Sequence, residues 1–208
     1  GLRRGAGGSS RGGGRAMVGG MNAPQPIPRP ATYQDVLDAP ENMVAEIVGG
    51  RLHLQPRPAS PHARAHSVLL RRLGGPFDFD DGGPGGWWII TEPELHLGGD
   101  VLVPDLAGWR RERMPAFPNV AWFELAPDWC CEVLSPSTRR LDLTGKRAAY
   151  AREGVGHLWF VDPLARTLEA FALANGVWSV VGAVEGDDPV TLPPFEAVEW
   201  SLSSLWTG

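Results

Sequence analysis

The run Trp129-Cys-Cys-Glu-Val-Leu134 is nearly all apolar, has the length of a strand, and carries one carboxylate, Glu132, in its middle. Such a run reads as a strand buried on both faces of a sheet. An ionised carboxylate there costs several kcal/mol unless a metal, a cation or a shared proton compensates it. Ser135-Pro-Ser-Thr138 follows as a loop able to cap a helix over Arg139 to Arg152, stopped by Gly154. Lys146 and Tyr150 lie one turn apart on that helix and share a face.

Lys146 is the chain's single lysine, against eighteen arginines, and it follows Glu132 by fourteen residues and Asp105 by forty-one. Arginine replaces lysine on most solvated surfaces. A surface pair with Asp142, one turn earlier, would be worth about 0.2–0.5 kcal/mol and would suit an arginine equally well. An ammonium differs in being a compact point charge that can approach one oxygen and shift its pKa when buried. The retained lysine therefore marks a place where that difference matters.

Working outward, Val44 to Val48, Gly49-Gly50 and Arg51 to Gln55 read as a hairpin that directs Glu46 to one face. Thr32 can cap a short helix over Tyr33 to Leu37. Pro61 opens a second helix from His62 to Leu73, with Val68, Leu69 and Leu73 inside and Arg64, Arg71 and Arg72 outside, ended by Gly74-Gly75. Phe77 to Gly86 reads as an exposed loop, Trp87 to Thr91 and Glu94 to Leu97 as strands, and Val101 to Leu106 as a strand continuing towards Trp109, with Asp105 near its end. Arg110 to Pro127 is a connecting excursion. Beyond the Lys146 helix come a strand from His157 to Val161, a hairpin of Thr167 to Leu173 and Val177 to Val184 about Asn175-Gly176, and a helical turn near Ser201 to Trp206.

Residues 1–30 read as a disordered tail and Pro-rich linker, with Met17 and Met21 as plausible native starts, and residues 31–208 as one domain. The composition, 43% apolar and 21% charged with nine tryptophans, suffices for a real core, and no apolar run approaches the ~20 residues of a membrane span. The net charge is −5 for the whole chain and −9 without the four arginines of residues 1–20, which excludes a general polyanion binder. Cys130 and Cys131 read as buried thiols, consistent with a reducing cytoplasm. His62 and His66 form an i, i+4 pair that could chelate a metal, but no third ligand lies within reach by sequence.

Two carboxylates on neighbouring strands with a lysine on the next helix make a constellation that suits phosphodiester hydrolysis. Hard Mg²⁺ takes oxygen ligands and keeps several waters, so Asp105 and Glu132 plus a substrate phosphate would suffice to bind it. Pro104-Asp105, Glu132-Val-Leu-Ser-Pro-Ser-Thr138, Asp142, Lys146, Tyr150, Gly154-Val155 and Trp159-Phe-Val-Asp-Pro163 resemble the bacterial Uma-two family of restriction-endonuclease-like proteins, within the PD-(D/E)XK nuclease superfamily. Ala45-Glu46-Ile-Val-Gly-Gly-Arg-Leu52 and Pro58-Ala-Ser-Pro-His62 are similar to two further stretches of that family, so the resemblance covers Thr32 to Trp206.

The resemblance implies an α/β (α+β) fold with a restriction-endonuclease-like core, a mixed central β-sheet flanked by helices, and extra β-hairpins. It implies Asp105 and Glu132 as metal ligands, Lys146 as a displaced catalytic lysine, Glu46 as an additional acidic residue, and Tyr150 and His62 as supporting groups. Leu134 occupies the superfamily's usual lysine position. The activity implied is an Mg²⁺-dependent endonuclease, with Mn²⁺ as a substitute, cutting nucleic acid and by preference DNA, cytoplasmic, without a membrane partner and suited to a homodimer. The alternative is a catalytically silent module that keeps the nuclease fold for nucleic-acid binding, regulation or dimerisation. The rival reading for Glu132 is a structural ion pair with an arginine.

Overall fold

The computed structural model describes residues 29–56 and 59–207. Of the tail and linker expected over residues 1–30, residues 1–28 lie outside the described residues, as do Pro58 at the start of the Pro58 to His62 segment and Gly208.

In chain order the elements are α1 (Tyr33–Leu37), β1 (Met43–Val48), β2 (Arg51–Pro56), α2 (Ser60–Leu73), β3 (Trp87–Thr91), β4 (Leu95–Leu97), β5 (Asp100–Leu102), β6 (Leu106–Arg110) and β7 (Trp129–Val133). The helical stretch that follows is α3 (Arg139–Leu141), a wider π-type turn (Asp142–Lys146) and α4 (Arg147–Arg152). Then come β8 (His157–Asp162), β9 (Thr167–Ala174), β10 (Val177–Glu185) and a small pair, β11 (Pro189–Val190) and β12 (Trp200–Ser201). A single 3₁₀ turn, Leu202–Leu205, stands where the terminal helical turn is expected.

Six strands form a central sheet in the order β10-β9-β8-β7-β6-β3, and four form a second sheet in the order β2-β1-β5-β4. In the central sheet β7 and β8 are parallel, joined by the helical crossover that carries Lys146, while the remaining pairs are antiparallel. This is the mixed sheet flanked by helices that the family resemblance implies. The β1–β2 hairpin pairs Val48 with Arg51 across Gly49-Gly50, both at positive φ, which glycine adopts without a Cβ clash.

Every residue of β7 is buried, as its composition demands. Trp129, Cys131 and Val133 face a core shared with Ala65, Leu69 and Leu73 of α2 and with Phe195 and Trp200. Cys130 faces the other core, with Ala149 and Tyr150 of α4. Both thiols are free and buried.

The single strand expected from Val101 towards Trp109 is two strands in different sheets. The chain crosses between them at Val103-Pro104-Asp105. Pro104 has no N–H for a ladder, and the Val103 N–H is donated to Glu46 Oε1 at 2.7 Å. Asp105 Oδ2 in turn accepts the Val133 N–H of β7 at 2.7 Å. Two carboxylates thus tie down the crossing point. The loop expected from Phe77 also departs from its reading: Gly74–Asp78 continues α2 as a π-type turn, and Phe77 is buried 4.8 Å from the Phe195 ring. Gly83 lies so close to Pro76 that a Cβ would sit 2.3 Å from the Pro76 Cβ. Glycine serves here for close packing as well as for turning.

Candidate active site

Glu132 projects from β7 on the face opposite Cys131, because side chains alternate along a strand. Lys146 ends the π-type turn, and that turn lies against β1: a Cβ on Gly145 would come within 2.9 Å of Val48 Cγ1. The close approach brings Lys146 to Glu46, the middle of β1. The Lys146 ammonium lies 2.8 Å and 2.9 Å from the two Glu132 oxygens, 3.0 Å from Glu46 Oε1 and 3.1 Å from the Val103 carbonyl, to which it donates. Asp142 is a longer contact at 3.8 Å. Glu46, Glu132 and Lys146 are only 1%, 2% and 2% exposed, so these charges compensate one another rather than water. Three acceptors converging on one point suit a compact ammonium better than a planar guanidinium.

Tyr150 donates its hydroxyl to Glu132 Oε1 at 2.6 Å, and Gln55 donates to Glu46 Oε2 at 2.6 Å. The ion pair weighed for Glu132 exists, with Lys146 in place of an arginine. Glu46, on a hairpin where charged residues often face water, is buried.

Three carboxylates surround one ammonium, and the pKa shifts follow from that imbalance. Burial works against the Lys146 charge, but Glu132, Glu46 and Asp142 outweigh it and hold its pKa well above the ordinary lysine value. Burial pushes Glu132 well up against the pull of Lys146, and repulsion from Asp142, Asp105 and Glu46 adds to this. Burial likewise carries Asp142 up to about 6, opposed by Lys146. The Tyr150 hydroxyl is raised by burial and by the Glu132 charge, so it remains a donor.

Asp105 and Glu132 meet at a pocket of ≈ 50 Å³, also lined by His62, Glu92, Asp142 and Lys146. Glu46 and Tyr150 are not among its lining residues and stand behind Lys146 and Glu132. His62, at the start of α2, places Nε2 3.0 Å from Asp105 Oδ1. Burial disfavours its imidazolium, but the hydrogen bond and charge of Asp105 prevail and raise its pKa. All six residues expected at the site therefore gather at or directly behind one pocket.

Among the described residues no arginine lines it. Arg64, Arg71 and Arg72 line a separate groove on the outer face of α2 with Ser203, Ser204 and Thr207. Arg111 stacks on Trp88 and pairs with Asp78, Arg113 pairs with Asp128, Arg139 with Asp162, and Arg147 stacks on Phe171.

A third partner does exist for one of the α2 histidines. Ligand atoms of His66, Glu92 and Asp105 lie within 4.8 Å of one another. Glu92 was invisible as a site residue because only strand register brings it there: Thr91 pairs with Leu106, and the Glu92 N–H donates to the Asp105 carbonyl at 2.9 Å. The acidic donors at the pocket fit a divalent cation. Glu132 Oε2 accepts only from Lys146 among the described residues, and Asp105 is partly open to solvent, so both retain acceptor capacity.

Residues 30–204 match the model of the Uma2 family, described as "Putative restriction endonuclease". A crystal structure described as a "putative nuclease" from Anabaena variabilis superposes with a TM-score of 0.69 at 23% identity, over 85% of this chain and 98% of that one. At that identity the likeness shows the fold. No curated protein matches the chain.

Proposed function

The chain belongs to the Uma2 restriction-endonuclease family, and from that premise we propose a divalent-metal-dependent endonuclease that hydrolyses DNA, carried by one domain over residues 31–208. One observation carries the reading. The only lysine is buried between Glu132 and Glu46 on the wall of a pocket that Asp105 also lines. A divalent ion, Mg²⁺ or in its place Mn²⁺, would be held by Asp105 and Glu132 and would supply a water of lowered pKa and charge neutralisation at the phosphate.

The chain's own groups do the rest. Lys146 holds a fixed positive charge against the pocket, where it can orient water and offset charge developing on the phosphoryl oxygens. Glu46 and the Val103 carbonyl hold that ammonium in place. Tyr150 fixes one Glu132 oxygen, and His62 with the Val133 N–H fixes both oxygens of Asp105. The α2 groove of Arg64, Arg71 and Arg72 offers the positive charge that phosphate binding needs, on the helix that presents His62 to the pocket. Two copies of the chain would suit cutting of two antiparallel strands. Among the described residues no helix is long and apolar enough to cross a membrane. The free buried thiols are compatible with the bacterial cytoplasm.

The second reading, a silent nuclease-fold module, is favoured by one feature: the pocket is acidic and, among the described residues, no arginine lines it. Incubation of supercoiled plasmid with wild type and Glu132→Gln in Mg²⁺ or Mn²⁺ separates the two. The nuclease reading expects nicking by wild type and none by the variant. Equal nicking by both, or no cleavage of DNA or RNA by a folded, metal-loaded wild type, rejects it.

A further inference from the structure

We propose that His66, Glu92 and Asp105 form a cation site of mixed nitrogen and oxygen donors beside the pocket, selective for Mn²⁺ and similar transition ions over Mg²⁺. The proposal deepens the nuclease reading, resting on it for catalytic meaning and on this donor set for binding.

The three residues come from three elements. His66 is on the second turn of α2, Glu92 follows the last residue of β3, and Asp105 precedes β6. Their ligand atoms lie within 4.8 Å of one another. An ion about 2.1 Å from each donor requires donors no more than about 4.2 Å apart, so closure needs only a small rotation, which the exposed Glu92 side chain is free to make.

A second, independent feature points to a ligand. His66 is half-buried, but its Nε2 atom is shielded from solvent and has no hydrogen-bond partner among the described residues. Leaving such a nitrogen unpaired is destabilising. Glu92 also holds φ +47, a left-handed conformation that glutamate rarely adopts. Its N–H bond to the Asp105 carbonyl at 2.9 Å keeps it across from Asp105. The neighbouring His62 already serves Asp105 through Nε2 at 3.0 Å, leaving His66 as the nitrogen donor of the set.

Selectivity follows from donor type. Mg²⁺ favours oxygen and gives up water reluctantly, whereas an imidazole nitrogen suits the transition ions Fe²⁺, Ni²⁺ and Zn²⁺, and Mn²⁺, which the two carboxylates serve, accepts that nitrogen more readily than Mg²⁺ does. One nitrogen and two carboxylates leave positions for water and for a phosphate oxygen. Because Asp105 is shared, an ion here would sit next to one held by Asp105 and Glu132.

The test uses the full chain stripped with EDTA, titrated calorimetrically with Mn²⁺ and with Mg²⁺, and pulsed EPR of the Mn²⁺-loaded protein. The expected result is Mn²⁺ binding at least tenfold tighter than Mg²⁺, with the ¹⁴N modulation of a directly bound imidazole. His66→Ala should abolish that modulation and bring the two affinities within a few-fold of each other. Glu92→Gln, at an exposed position that leaves folding intact, should weaken Mn²⁺ at least tenfold. Absence of ¹⁴N modulation in wild type, or modulation that survives His66→Ala and vanishes in His62→Ala, overturns the site. A protein that binds Mn²⁺ through His66 but never nicks nucleic acid supports this site and defeats only the nuclease reading. Mg²⁺-driven nicking with no nitrogen-coordinated Mn²⁺ does the reverse.

Discussion

Cys131 and Glu132 are adjacent on β7 and both buried, yet they face opposite kinds of interior. On the Cys131 side, Trp129, Trp159 and Phe195 pack edge to face with ring centroids 4.9–5.6 Å apart over the apolar face of α2. On the Glu132 side, the same strand meets Lys146, Glu46 and Asp142 around a small pocket. The first face is held by contacts that are individually weak, numerous and indifferent to pH. The second is held by few contacts, each strong because the others are present. One strand can therefore anchor the fold and present chemistry without either role compromising the other.

The comparison is broken most severely by Lys146→Met. Three buried carboxylates would lose their only ammonium, and we expect a loss of up to about 5 kcal/mol in EDTA, measured by guanidinium unfolding. Nicking should fall at least about 10²-fold. A stability loss below about 1 kcal/mol would mean that the charged face is solvated and the contrast illusory. Trp129→Ala tests the other face, with an expected cost of about 3–4 kcal/mol for the cavity. The Mn²⁺ affinity of the folded fraction should not change, and a marked change would mean that the two faces are mechanically linked.

The smallest expected effect is also the most diagnostic in sign. Asp142, carried up to about 6 by burial, holds a proton more tightly in the folded chain than in the unfolded one, where an aspartate titrates near about 3.9. Its contribution therefore weakens stability as pH rises from about 4 through about 6, and stability returns as pH falls back through that window. In EDTA, Asp142→Asn should gain about 1–3 kcal/mol at pH 7 and remove this slope relative to wild type. Equal pH dependence in the two proteins would show that Lys146 fully offsets the burial of Asp142.

The charged face was readable where composition isolated a residue. Glu132 is the one acid in an apolar strand, and Lys146 is the one lysine among nineteen basic residues. The hairpins were readable because Gly49-Gly50 and Asn175-Gly176 supply positive φ between alternating runs, and all four residues do adopt it. Glu46 was harder, since a charged residue in a hairpin gives no local sign of its burial. His66 and Glu92 were unreadable as a pair. They are twenty-six residues apart in different elements, and only the β3–β6 register carries Glu92 opposite Asp105. Phe77 reads as part of a loop because a Gly-rich context signals a turn and carries no information about what packs over it.

By itself, then, the sequence determined the elements and the exceptional residues: strand β7 with its buried acid, the helical crossover with its lysine, and the family to which both belong. Those properties depend on periodicity, turn chemistry and desolvation cost, all of which act within a few residues along the chain. The tertiary structure decided which exceptions meet. At Val103-Pro104-Asp105 the chain leaves one sheet for the other, with Glu46 taking the Val103 N–H and Asp105 taking that of Val133. Whether two distant side chains share a cation depends on strand register and on where the sheets part, and both are set by long-range packing that no local window contains.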